Sequence, residues 1–259
     1  MKPVYTIVTS LAALAAASSA AAAGTAVGLV GDNTLVMIDA AKGTVGKSMT
    51  VKGVDRLLGI DMRPADKKLY GVAADGTLVT IDTATGDTAK VSKLDKMLPE
   101  GVSAIVDFNP VPDKLRLMGS DGTNLRVDPD SGKVTTDGSL AFEATDPNAG
   151  KSPNVTAAAY TNAHGKPEKS QMFDIDATLG ALVQQTKPND GTLKVIGMLG
   201  TNGAKQYAFD VATTADGKNT AWLIADNVLH TVALDTGKAT KIAELNTDGM
   251  IRDFTVLAE

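Results

Sequence analysis

Cysteine is absent from the 259 residues, and histidine occurs only at His164 and His230. Without cysteine there is no disulfide, thiolate zinc site, covalent c-type haem attachment or cysteine nucleophile. Two histidines so far apart cannot form the H-E-x-x-H helix of a metalloprotease. No G-x-S-x-G elbow occurs, which leaves a Ser-His-Asp hydrolase little support. Five Phe, four Tyr and one Trp offer few platforms for stacking sugars or bases. Twenty-five basic side chains against 30 acidic ones give a net charge of -5. An acidic chain without a basic cluster is a poor nucleic-acid binder. No apolar run beyond residue 23 approaches the roughly 20 residues that span a bilayer.

The N-terminus is rich in what the rest lacks. Nine of the first 23 residues are alanine, Lys2 is the single charge, and an apolar stretch runs from Val4 to Ala17. Ala21-Ala22-Ala23 then precedes Gly24, an A-x-A type cleavage site. This is the layout of a secretory signal peptide, residues 1–23, cleaved near Ala23. The expected mature chain, 24–259, would be periplasmic or secreted by a bacterium, and without disulfides its core must hold it.

Internal repeats organise that mature chain. A shift of 46 carries Asp61 to Asp107, Pro64 to Pro110, Asp75-Gly76-Thr77 to Asp121-Gly122-Thr123, Asp82 to Asp128 and Gly86 to Gly132. A shift of 43 carries Gly28 to Gly71, Asp32 to Asp75, Ile38-Asp39 to Ile81-Asp82 and Gly43 to Gly86. Each unit reads as four short strands, near 57–62, 68–73, 77–82 and 88–93 in unit two, with a tight hairpin at Asp75-Gly76. Helical patterning is nearly absent; Arg56–Leu58 and Asp95–Leu98 are the only candidate single turns. Four-stranded sheets repeated at about 40–50 residues are the signature of a β-propeller.

An apolar run leading into Asp marks each first strand: Asp61, Asp107, Asp210 and Asp253, with Tyr160 filling the same slot in unit four. Five first strands predict five four-stranded antiparallel blades in one all-β domain, 24–259. The last first strand, Ile251–Leu257, has no strands after it, and the N-terminal unit has three strands with none before them. Pairing the two closes the ring and removes the open edges that invite aggregation.

Several strings carry a family resemblance. Leu57-Leu58-Gly59-Ile60-Asp61-Met62-Arg63-Pro64, Asp107-Phe108-Asn109-Pro110, Asn124-Leu125-Arg126-Val127-Asp128-Pro129, Ala157-Ala158-Ala159-Tyr160-Thr161-Asn162 and Pro188-Asn189-Asp190-Gly191-Thr192-Leu193 resemble, in order, a bacterial family catalogued as domain of unknown function 4394. The resemblance covers essentially the whole mature chain. It implies a secreted or periplasmic propeller-like domain and brings no catalytic residues with it.

The richest polar constellation comprises Asp107, Asn109, Arg116, Asn124 and Arg126 in unit three and Tyr160, Thr161 and Asn162 in unit four. Asp174, Gln184 and Asn189-Asp190-Gly191 follow. Blade faces are mostly buried, so charges on them must be paired. The structural account is inter-blade stapling, with Asp107 or Asp128 the expected partner of Arg126. The functional account is a small polar-ligand pocket formed by Asp107, Asn109, Arg116, Asn124, Arg126, Tyr160 and Asn162 near the channel. Asp61, Asp107, Asp210 and Asp253 carry a second pair of accounts. Converging on the axis they would hold Ca2+, which takes 6–8 oxygen ligands; alternatively they accept bonds from the next blade's amides. His164, in the Gly/Pro/Lys-rich stretch Thr161–Ser170, reads as an exposed loop residue, and His230 as part of a strand over 228–234. Met97, Met118, Met172 and Met198 are expected core filler.

Two functions fit these residues. One is a non-catalytic binding or scaffolding propeller, a monomer taking a small polar ligand or a protein partner. The other is a propeller hydrolase, lactonase-like, with a cation in its channel. Scarce histidine and the missing nucleophile motif favour the first, and the fold alone does not choose.

Overall fold

The computed structural model describes residues 24–201 and 203–257, a chain of strands and turns with no helix among them. Residues 1–23, where a signal peptide is expected, lie outside the described residues. Blade one holds β1 (Thr25–Val30), β2 (Thr34–Asp39) and β3 (Thr44–Thr50). Blade two holds β4 (Leu57–Arg63), β5 (Lys68–Ala73), β6 (Thr77–Ile81) and β7 (Thr88–Lys93). Blade three holds β8 (Ala104–Asn109), β9 (Lys114–Gly119), β10 (Asn124–Val127) and β11 (Val134–Thr136). Next comes β12 (Ala141–Phe142), then β13 (Val155–Tyr160), β14 (Met172–Asp176), β15 (Ala181–Lys187) and β16 (Thr192–Met198) of blade four. Blade five holds β17 (Tyr207–Thr213), β18 (Asn219–Ala225), β19 (Val228–Val232) and β20 (Ala239–Glu244), and β21 (Ile251–Val256) follows.

The sheet order β21-β1-β2-β3 closes the ring as the strand count predicts. Thr255 lies opposite Val27 and Phe254 opposite Gly28. Blade four adds one feature to the four-stranded plan: β12 pairs parallel with its outer strand, Phe142 opposite Leu193. This short strand sits within the insertion that makes the third-to-fourth blade interval the longest.

Burial explains why the inner strands read as unbroken apolar runs while the outer ones read polar. β14 and the first five residues of β17 are wholly buried between neighbouring blades, whereas β3 and β20 are largely exposed. Among the described residues the buried apolar side chains form five clusters, one at each inter-blade interface. At the second-to-third interface Tyr70 meets Phe108 edge-on, ring centroids 5.2 Å apart. Met118 and Met172 are core filler as expected, but Met198 is 63% exposed because β16 turns that face to solvent.

The two expected helical turns do not form. Leu57 and Leu58 begin β4, and the Leu57 amide donates to Asp32 O at 2.8 Å. The Asp95 amide donates to Gly132 O at 3.1 Å, and Asp95 Oδ1 accepts from the Val134 amide at 2.9 Å. Backbone groups captured by neighbouring strands are unavailable for i→i-4 bonds. The Asp75-Gly76 hairpin forms as read: Gly76 has φ 86°, and its amide bonds to Ala73 O at 2.8 Å. In each antiparallel blade the first-to-second and third-to-fourth connections emerge on the same face, together with Gly24 and Leu257. That face carries both cavities described next.

Candidate functional site: the channel mouth and the cleft beside it

Inner strands β4, β8 and β17 aim Asp61, Asp107 and Asp210 at the propeller axis. One carboxylate oxygen from each lies within 4.8 Å of the others, and all three residues are buried. They line a cavity of about 130 Å³ at the channel mouth, with Tyr160, Thr255 and His164 also in its wall. Two oxygens bound about 2.4 Å from one ion can be at most about 4.8 Å apart, so this spacing suits a hard divalent cation.

Main-chain amides hold the carboxylates in place. Asp61 Oδ2 accepts from the Phe108 amide of the next blade at 2.6 Å, and Oδ1 from Met62 at 2.7 Å. Asp107 Oδ1 accepts from the Tyr160 amide at 2.9 Å. Asp210 Oδ2 accepts from the Val256 amide and Oδ1 from Val211, both at 2.6 Å. The inner-strand aspartates therefore do bond to the next blade's amides, and the same carboxylates converge on the axis. Burial pushes the Asp61 carboxyl well above the usual range, with the charge of Asp210 adding to it. Asp107 is pushed well above for the same reason, first by burial and then by Asp61 and Asp210. Burial also raises Asp210. Close carboxylates in a low-dielectric site resist ionising together.

Asp253 stands apart from this triad. Its Oδ2 accepts from the Ile60 amide at 2.8 Å, and burial pushes its carboxyl up to about 7. Two residues further along β21, Thr255 occupies the triad level, donating from Oγ1 to Asp61 Oδ1 at 2.9 Å. A two-residue step along a strand is roughly 7 Å, which sets Asp253 off from the point where the other three carboxylates meet. The run into Asp marks the strand but not the height at which each strand meets the axis. The register shift between Leu29 and Val30, where β21 pairs with β1, left no trace in the spacing.

The polar constellation of blades three and four splits into a buried network and an open cleft. Arg116 is 2% exposed, and each of its three nitrogens has an acceptor. Nη1 donates to Asn124 Oδ1 at 2.9 Å and Asp137 Oδ2 at 2.7 Å, Nη2 to Asn189 Oδ1 at 3.0 Å, and Nε to the Tyr160 hydroxyl at 3.3 Å. Asn124 is equally buried and donates to Gly138 O and Pro188 O. Arg126 pairs with Asp137 Oδ1 at 3.0 Å, not with Asp107 or Asp128, and remains 33% exposed. Asp128 is taken by Lys114. Asp137 was not singled out in the sequence because it follows β11, outside every strand motif.

Asn162, half-buried, bridges blades four and five. It exchanges bonds with Asn219, 2.9 Å from its amide and 2.8 Å to its Oδ1, and its own Nδ2 donates to Lys169 O. Its φ of 62° suits Asn. Asn109 accepts from the Val111 amide and from Ser170 Oγ, and it opens onto the cleft between blades three and four. Asp174 is fully buried, its carboxyl pushed up to about 8 by burial, and its partner at 3.3 Å is Gln185, not the neighbouring Gln184. His230 lies in β19, which ends at Val232, with Nδ1 2.9 Å from Val228 O. His164 is half-buried in the wall of the channel-mouth cavity, so its loop folds over the axis rather than away from it.

No curated protein sequence matches this chain. Among solved structures, a protein of unknown function from Bacteroides thetaiotaomicron shares 13% identity at a TM-score of 0.56, over 92% of this chain and 65% of that one. An auxiliary nutrient binding protein from the same organism shares 10% identity at a TM-score of 0.50, over 89% of this chain and 60% of that one. The chain thus spans just under two thirds of these relatives, and the likeness is one of fold. The repeats, the five blades and the inner-strand landmarks agree with a family profile matching residues 34–255, and the chain belongs to the family described as domain of unknown function (DUF4394).

Proposed function

We propose that this protein is an exported, non-catalytic binding propeller whose channel mouth takes a divalent cation, Ca2+ in the first instance. The observation that carries this is the convergence of Asp61, Asp107 and Asp210 in a cavity with no lysine or arginine in its wall. Three buried carboxylates with no lysine or arginine beside them are costly unless protons or a cation neutralise them. Amide bonds from neighbouring blades preorganise the oxygens, so a bound ion would tie blades two, three and five together at the axis. Export rests on the N-terminal layout of residues 1–23, and a binding role accords with the nutrient-binding protein of similar fold.

The lactonase-like reading draws on the same cation and is favoured by His164 in the cavity wall, a residue able to move a proton. Elemental analysis of exported protein, before and after chelation, tests the binding reading. About one equivalent of a divalent metal, lost in Asp107→Asn, is the expected result; metal-free wild-type protein that takes up none on dialysis against calcium would overturn it. Turnover of a lactone by the loaded protein, abolished in His164→Ala, would move the assignment to the hydrolase.

A further inference from the structure

Beside the channel mouth, on the same face, a cleft of about 560 Å³ separates blades three and four. Three cations line it, Arg126, Lys169 and Lys187, against one carboxylate, Asp190. This is a local excess of positive charge on a chain whose net charge is -5. The excess is built into the interior as well as the surface. Asp137, with its side chain 5% exposed, is shared by two guanidiniums, those of Arg116 and Arg126. One carboxylate between two arginines leaves a positive charge over, and Arg116 has further acceptors in Asn124, Asn189 and the Tyr160 hydroxyl. The shortfall therefore falls on Arg126, whose buried Nε has no acceptor. Neither Lys169 nor Lys187 has an ion-pair partner among the described residues.

We propose that this cleft is an anion-binding site for a small organic acid or phosphate ester. Its charged head sits on the Arg126 guanidinium between Lys169 and Lys187, and its body lies against Val111, Pro112 and Pro188. A guanidinium fork matches the geometry of carboxylate and phosphate alike. The cleft volume is that of small-molecule sites, about 300–1,000 Å³. Its rigid side is supplied by Arg116, which holds Asn189 through Oδ1 and so fixes the Pro188–Asp190 loop. The site is separate from the channel triad and does not depend on a cation there; Tyr160 forms part of both walls.

Calorimetric titration of the mature protein with glucuronate, glucose 6-phosphate and glucose tests the proposal. The two anions should bind, more weakly as salt is added, and neutral glucose should not. Lys169→Gln with Lys187→Gln removes two exposed charges and should weaken anion binding about ten-fold while leaving thermal unfolding unchanged. Arg126→Lys keeps the charge but loses the fork, and should weaken it by a further factor of about ten. Asp107→Asn should leave anion binding unchanged, which separates this site from the channel. Failure of both anions to bind, equal binding of glucose, or full affinity in the double lysine variant would each overturn it.

Discussion

Asp137, which the sequence reading did not name, holds the two arginines of blade three, one of which, Arg116, reaches across to Tyr160 and Asn189 of blade four. It neutralises Arg116, which is 2% exposed, and Arg126 together. Asp137→Asn leaves a buried guanidinium without a carboxylate, and should destabilise by about 3–5 kcal/mol in urea unfolding. A loss under about 1 kcal/mol would show that the amides of Asn124 and Asn189 suffice. Asp174 makes a second residue-scale case. Its carboxyl rises from 3.8 to about 8 in the fold, so its contribution to stability is fully present below about pH 4 and is lost as pH rises through about 8. Asn is close in shape to the protonated acid and supplies an N–H for Gln185 Oε1, which lacks a partner. Asp174→Asn should match wild type near pH 4 and exceed it near pH 8; equal stability at both would mean that Asp174 does not hold its proton. These burial effects were the least legible part of the sequence. Alternation showed which face a side chain takes, but the partners of Arg126 and Asp174 come from a turn and from a neighbouring strand that no motif marks.

Among the elements, β21 has the most to do. Arg252 donates Nη1 to Leu58 O at 2.9 Å and Nε to Gly31 O at 2.6 Å, and Asp253 accepts from Ile60, so one strand clamps blade one onto blade two. Gly59 shows how tightly the inner strands meet: a Cβ there would lie 2.6 Å from Val106 Cγ2 and 2.8 Å from Asp253 Oδ2. Deleting residues 250–259 removes this strand, opens β1 and β17 and exposes their apolar side chains. The expected product is insoluble or loosened, with a broad, early thermal transition. An unchanged transition would disprove the closure. At this scale the sequence was nearly transparent, because offsets of 43 and 46 and the run into Asp are copies of one structural unit. What the copies could not disclose was the axial height of each landmark. Asp61, Asp107 and Asp210 meet at one level, Thr255 fills that level in blade one, and Asp253 drops below it.

For the whole molecule, the titrations add in one direction. Asp61, Asp107, Asp210 and Asp174 are all raised by burial, and Asp253 sits at about 7. Each contributes stability at low pH that fades as pH climbs towards its folded value, so the cation-free protein should weaken between about pH 4 and about pH 8. Exposed pairs such as Asp75 with Lys93, which holds that carboxyl at about 2, contribute fully across this range and lose their effect only as pH falls from about 4 through about 2. A divalent ion bound as proposed would replace the protons on the triad, and its benefit should therefore grow as pH rises. Thermal unfolding of the mature protein near pH 8, in calcium and in chelator, with Asp107→Asn alongside, tests this account most directly. Calcium should raise the unfolding temperature of wild type at pH 8 far more than at pH 5 and leave Asp107→Asn unmoved; identical wild-type curves in calcium and chelator at pH 8 would contradict a cation at the channel mouth.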